Sequence, residues 1–186
     1  MIKNYNIIYL KQMKKFNKVI VKKPGKAVCK GITSSPELGK PIYEKALLQH
    51  DAYIEALKKC GVEVTILEAD ERYPDSCFVE DPAIITKSCA IITNPCAESR
   101  NGEKDEIICA IRKFFPEEKI EYIKSPGTLE GGDVMMVDDV FYVGLSARTN
   151  EEGIRQLRKI LSKYGLKCVQ VPLKKVLHLK TGVNYL

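Results

Sequence analysis

Three loops hold the side chains of this 186-residue chain that could do chemistry. DSCFVEDP carries Asp75, Glu80 and Asp81, GTLEGGD carries Glu130 and Asp133, and LHLKTG carries His178, one of only two histidines. Two arginines, Arg100 and Arg148, stand at matching points just ahead of helical segments. Clustered carboxylates repel one another unless a cation sits among them, and without metal-ligand spacing a planar guanidinium is an apt guest. Arginines are the matching clamp for a carboxylate. A ligand with a guanidinium at one end and a carboxylate at the other is an arginine derivative; His178 is of a type that could be a catalytic base or an ordinary loop residue.

Each feature taken alone has an ordinary explanation. Glu80-Asp81 before Pro82 could only start an edge strand, and Gly131-Gly132-Asp133 could be only a tight turn. A lone His178 is more often a hydrogen-bonded loop residue, and Arg100 and Arg148 read singly as solvent-exposed helix flanks. His50, between Leu47 and Ile54, reads as partly buried packing. What outweighs these readings is recurrence, because the acids and the arginines fall at equivalent points of an internal repeat.

The repeat is set by three helical segments with recognisable ends. Residues 41–60 place Ile42, Leu47, Ile54 and Leu57 near one face, begin with Pro41 and stop at Gly61. Residues 102–115 place Ile107, Ile111 and Phe114 likewise and stop before Pro116. Residues 150–164 follow Thr149 with Glu152 three on, which predicts a capping box, and stop at Gly165. After each helix comes a short β-branched strand (VEVTILE, KIEYIK, KCVQVPL), then a loop carrying the acids or the histidine. In the first two units a hairpin follows, PAIITKSCAIITN and VMMVDDVFYVG. Such units cannot bury their sheets alone and must pack around something shared, as propeller blades do. Rotation about a central axis would bring the three loops to one end of it. The third unit stops where its hairpin should begin, so the chain reads as an incomplete fold that should self-associate through exposed faces and strand edges.

Composition bounds the alternatives. The chain is 45% apolar and 29% charged, long enough for one core, with no apolar run near the roughly 18 to 20 residues that span a bilayer. MIKNYNIIYLKQMKKF lacks a secretory cleavage site. The seven cysteines are odd in number and scattered, without a C-x-x-C pair, which argues against a disulfide framework or a zinc site and for a cytoplasmic protein. The net charge of +6 is local, since residues 1–36 hold nine lysines and no acid. That end reads as a disordered basic leader over 1–12 and a solvated strand, with Met13 an alternative start and residues 13–186 the domain. Nothing interleaves aromatic and basic residues as a nucleic-acid surface would.

FVEDPAIIT, ITNPCAESR, GTLEGGDVMMV, VGLSARTNEEG and VLHLKTG, in this order, resemble bacterial dimethylarginine dimethylaminohydrolases of the guanidino-group-modifying, or amidinotransferase, superfamily. The resemblance runs from about Lys14 to the last residue. It implies an α/β fold, a five-bladed propeller of ββαβ units of which this chain would hold about three. It also implies hydrolysis of Nω-methylated L-arginine to citrulline and methylamine or dimethylamine, with no cofactor and no metal. Carried over by motif, His178 is the general acid and base, oriented by Glu130. Asp81, with Glu80 nearby, holds the guanidinium, and Arg100 and Arg148 clamp the α-carboxylate. Asp75 and the Ile32 carbonyl, in the lid-like loop KGITSSPELG, take the α-amino group.

The family's cysteine nucleophile belongs to sequence this chain does not contain, and Cys77 is not expected to replace it. The 186 residues alone are therefore expected to be inactive, the alternative being a truncated or non-catalytic chain that at most binds arginine-like ligands. The expected partners are a small guanidino substrate and a second copy of the chain, with neither nucleic acid nor membrane.

Overall fold

A computed structural model describes residues 16–185; the expected leader at 1–12 and the start at Met13 lie outside the described residues. The contacts divide into two compact units, one running to Cys77 and one from Phe78 onward. Among the described residues no helix is long and apolar enough to cross a membrane.

In the unit before Cys77, β1 (Lys18–Lys22) pairs in parallel with β2 (Glu63–Leu67), Val19 opposite Val64 and Val21 opposite Ile66. Parallel neighbours need a crossover, which two short 3-10 turns and α1 (Tyr43–Lys59) provide. The helix ends where Gly61 takes a left-handed φ of 76°, the usual glycine stop. Of the expected apolar face only Ile54 is buried, and Ile42 is exposed, because a two-stranded sheet covers little of a helix. The lysine-rich segment is not a solvated strand. Its second half turns inward, leaving Lys22 only 1% exposed. The ammonium lies close enough to Asp70 to help hold that buried carboxyl low, at about 2, behind the larger effect of its hydrogen bonds from Arg72.

The unit from Phe78 contains two open, three-stranded sheets of one construction. In the first, β3 (Ala83–Ile85) and β4 (Ala90–Ile92) form an antiparallel hairpin, and after α2 (Lys104–Ile111) the chain returns as β5 (Ile120–Tyr122), parallel to β4. In the second, β6 (Val134–Val137) and β7 (Val140–Leu145) are the hairpin, α3 (Glu151–Lys163) the crossover and β8 (Lys167–Pro172) the parallel return. Apart from α2, the hairpin, helix and strand periodicities of the sequence are realised twice within a residue or two. Helix α2 is shorter than the expected 102–115, since residues 98–103 form a 3-10 turn and the regular helix stops at Ile111.

The core lies where α3 covers these sheets. Ile154, Leu157 and Leu161, spaced for one helical face, pack in a cluster with Ile84 and Ile91 of the first sheet and Val134, Phe141 and Val143 of the second. The cap of α3 is displaced by one residue from the expectation. Asn150, not Thr149, is the N-cap, its side-chain oxygen accepting the Gly153 N–H at 2.8 Å. The same oxygen accepts from the Thr128 N–H at 3.0 Å, and Leu129 N–H donates to the Asn94 carbonyl at 2.9 Å. The loop at 127–133 is therefore held between the first sheet and the start of α3.

Leu157 is fully buried in this cluster. Leu157→Ala is expected to lower the unfolding free energy by about 2–5 kcal/mol, whereas Leu48→Ala, on the exposed side of α1, should change it by less than about 0.5 kcal/mol. Denaturant titrations of both variants check the contrast.

Candidate active site

Three carboxylates are buried together. Asp81 is 5% exposed, Glu130 1% and Asp133 0%. Burial of so much negative charge is tolerated only where each group is paired or hydrogen-bonded.

Asp81, at the entry to β3, is held on every side. Its Oδ1 accepts the Gly132 N–H at 2.8 Å, and its Oδ2 accepts from Arg100 Nη1 at 2.6 Å. Its carbonyl accepts the Gly131 N–H at 3.0 Å and the Thr93 hydroxyl at 2.6 Å. Arg100 is itself buried, with Nε and Nη2 also donating to the buried Glu103 at 2.8–3.1 Å. It is not a solvent-exposed helix flank. The desolvation that would make it give up its proton is outweighed by Glu103 and Asp81, which hold its pKa above the ordinary value.

Glu130 lies on the adjoining loop. Its Oε1 accepts the Cys96 N–H at 3.2 Å and stands 3.7 Å from Arg148 Nη1, while its Oε2 is 3.5 Å from His178 Nε2. Burial, with repulsion from Asp81, raises its pKa against the opposing pull of Arg148, Arg100 and His178. The two glycines that follow are required by close approach. A Cβ on Gly131 would overlap the Glu80 carbonyl, and one on Gly132 would lie 2.9 Å from both the His178 ring and Asp81 Oδ1.

His178 follows β8 in the chain. It immediately precedes a short helix, α4 (Leu179–Gly182), and Thr181 donates its hydroxyl to the His178 carbonyl at 2.6 Å. The Leu179 N–H at the start of α4 donates to Asp133 Oδ1 at 3.0 Å, which seats the imidazole between two acids. Its Nδ1 lies 3.4 Å from Asp133 Oδ2, an ion-pair separation, and its Nε2 faces Glu130. Asp133 raises the His178 pKa most; burial opposes it, and Asp81 and Glu130 add to the rise.

One atom each from Asp81, Glu130 and His178 fall within 4.8 Å of one another. The complement of such a cluster is a cationic group. Of the remaining expected residues, Arg148 is partly buried against Glu130. Glu80 does not join the cluster, for its exposed carboxylate accepts from Lys180 Nζ at 2.5 Å. Asp75 and Ile32 belong to the preceding unit, where the Ile32 N–H donates to both Asp75 oxygens at 3.1–3.2 Å.

Cys96, given no role in the sequence, donates its backbone N–H to Glu130. Thr149, expected as a helix cap, and Ser146, given no role, both donate their hydroxyls to Asp133 at 2.7 Å. No pattern in one sequence distinguishes a hydroxyl that caps a helix from one turned toward a buried acid.

Residues 33–184 match the family model described as N,N dimethylarginine dimethylhydrolase, eukaryotic. The chain belongs to the dimethylarginine dimethylaminohydrolase family. It is 56% identical, over 92% of its length, to the N(G),N(G)-dimethylarginine dimethylaminohydrolase of Pseudomonas aeruginosa and 38% identical, over 91%, to that of Streptomyces coelicolor. It covers 66% and 65% of those proteins, just under two thirds of their length.

Among solved structures, a cysteine-to-serine variant of the Pseudomonas dimethylarginine dimethylaminohydrolase complexed with citrulline superposes with a TM-score of 0.89, at 55% identity over 91% of this chain and 66% of that one. The chain has the mixed α/β fold of that enzyme. The N-terminal domain of ArgZ, a cyanobacterial arginine dihydrolase bound to product, superposes with a TM-score of 0.75 at 14% identity, over 88% of this chain and 61% of that one, a likeness of fold alone.

Two outcomes follow from the geometry. A histidine whose pKa lies above the ordinary 6.5 binds its proton more tightly folded than unfolded. The stability it contributes is full below about pH 6.5 and is lost as pH rises through its folded value. The difference in unfolding free energy between the unsubstituted chain and His178→Gln should therefore be largest below pH 6.5 and shrink as pH rises, which denaturant titrations across pH will read. Gly132→Ala, which pushes on the His178 ring, should destabilise by about 1–3 kcal/mol and displace the His178 resonances in NMR spectra.

Proposed function

We propose that the protein acts in hydrolysis of Nω-methylated L-arginine to L-citrulline and methylamine or dimethylamine. The observation that carries this reading is the buried cluster of Asp81, Glu130 and His178 in a member of this family. In the reading Asp81 holds the guanidinium and His178 is the acid and base, oriented by Glu130 on its Nε2 side. A cysteine thiolate attacks the guanidinium carbon and His178 protonates the departing amine; His178 then takes a proton from water, whose attack on the thiouronium carbon releases citrulline and restores the thiolate.

Arg148 and Arg100 are assigned to the α-carboxylate. Arg148 faces Glu130 through Nη1 alone, whereas Arg100 is held by Asp81 and Glu103. Glu80, tied to Lys180, is assigned to bracing the loop beside Asp81. Asp75 and the Ile32 carbonyl remain the proposed partners of the α-amino group. The fold is proposed to be part of a five-bladed propeller of ββαβ units.

The thiolate is proposed to come from outside these 186 residues. Cys89 and Cys168 are poor candidates, since burial pushes their thiols up rather than down, away from what activates a nucleophile. Cys96 is the competitor within the chain, through its contact with Glu130. Preference between mono- and dimethylated substrate rests on methyl groups worth about 1–3 kcal/mol each.

The test is citrulline release from monomethyl- and dimethylarginine, by the 186 residues and by any longer product of the same reading frame. Release should occur in a form that carries the added cysteine and fall by at least about 100-fold in His178→Gln. Release by the 186 residues that Cys96→Ser abolishes would place the nucleophile within the chain, and release unaffected by His178→Gln would overturn the reading.

A further inference from the structure

The imidazole of His178 lies between two carboxyl groups that the structure makes unequal. On one side is Glu130, whose pKa burial and Asp81 raise. On the other is the fully buried Asp133, which burial would raise but which its interaction with His178, then hydrogen bonds from Ser146, Thr149 and Leu179, hold below the ordinary carboxylate value. Its donors come from two elements. Ser146 and Thr149, on the loop between β7 and α3, each donate a hydroxyl to Oδ2 at 2.7 Å, and the Leu179 N–H at the start of α4 donates to Oδ1 at 3.0 Å. His178 Nδ1 is buried and makes no hydrogen bond, and the same Oδ2 stands 3.4 Å from it, at ion-pair distance.

A neutral imidazole carries one N–H, and a fixed acceptor on one side selects the tautomer. We propose that Asp133 is a second positioning residue of His178, beside Glu130: it keeps the imidazole proton on Nδ1 and leaves Nε2 as the nitrogen that gives and takes protons on the Glu130 side. Orientation is set by the same contacts, since Leu179 N–H ties the backbone next to the ring to the carboxylate that faces the ring. The acids facing His178 are Asp133, Glu130 and Asp81; Arg148 backs Glu130, Arg100 backs Asp81, and Lys180 is turned to Glu80. Asp133 is the member of this set whose acceptor oxygen lies nearest Nδ1 among the contacts found. The catalytic meaning of this assignment rests on the hydrolase reading, but its physical content does not.

The experiment is ¹⁵N NMR of the 186-residue protein labelled at its two histidines, with His50→Gln assigning the signals. In the unsubstituted protein the neutral form of His178 is expected as the Nδ1–H tautomer. In Asp133→Asn the midpoint of the His178 titration should fall by at least about one pH unit, a tenfold change in proton affinity, and the tautomer preference should weaken. An Nε2–H tautomer in the unsubstituted protein overturns the proposal even if the variant does not fold, as does a folded Asp133→Asn with an unchanged midpoint. An Nδ1–H histidine in a longer form that carries the added cysteine yet releases no citrulline would refute the hydrolase reading and support this one.

Discussion

Burying three carboxylates in one small region is the constraint from which the rest of the structure follows. A desolvated carboxylate left unpaired costs several kcal/mol, so each must be answered by a different device. Asp81 is met by the Arg100 guanidinium and a backbone N–H. Asp133 is met by two hydroxyls and the N–H that opens α4. Glu130 is met by the Cys96 N–H, by Arg148 and by His178, and its raised pKa is the remainder that these partners leave uncompensated. The glycines at 131 and 132 serve the same end, since they let Glu80, Asp81 and the His178 ring approach the loop where any side chain would stand.

The two sheets supply the rigidity this needs. Each hairpin, helix and returning strand fixes the loops at its ends, and the core formed where α3 meets both sheets holds those loops in one register. Thr149 shows how tightly the parts are coupled. Its hydroxyl donates to Asp133 and accepts the Glu130 N–H at 3.2 Å, so one residue ahead of α3 links both acids beside His178. A helix start, a buried network and a histidine orientation are therefore one structural fact. Glu130 and Asp133 are unequal because, against burial, His178 first, and then the Ser146 and Thr149 hydroxyls, lower Asp133, whereas burial and Asp81 raise Glu130.

Much of this was legible in the residues. β-branched runs and turn signals placed β3 to β8 closely, and the motifs around Asp81, Glu130 and His178 marked the loops that converge. What was not legible depends on direction rather than identity. The sequence contains the Thr149 and Glu152 of a capping box, but the choice between a cap and Asp133 is made by the fold. Arg100 looks like a surface arginine until Glu103 and Asp81 close over it. Glu80 and Asp81 are neighbours in FVEDP, yet one is buried and the other reaches out to Lys180. Lys22 is buried with Val21 at the end of the strand that pairs with β2, a placement that lysine content alone opposes.

A guanidinium is the proposed guest of this anionic cluster. The most direct measurement is calorimetric titration of the protein with Nω,Nω-dimethyl-L-arginine and, separately, with L-norleucine, which keeps the amino-acid end and lacks the guanidinium. Saturable binding of the methylated arginine, with norleucine at least about tenfold weaker, is the predicted result. Equal affinity for the two, or no binding of the guanidino compound, would contradict it.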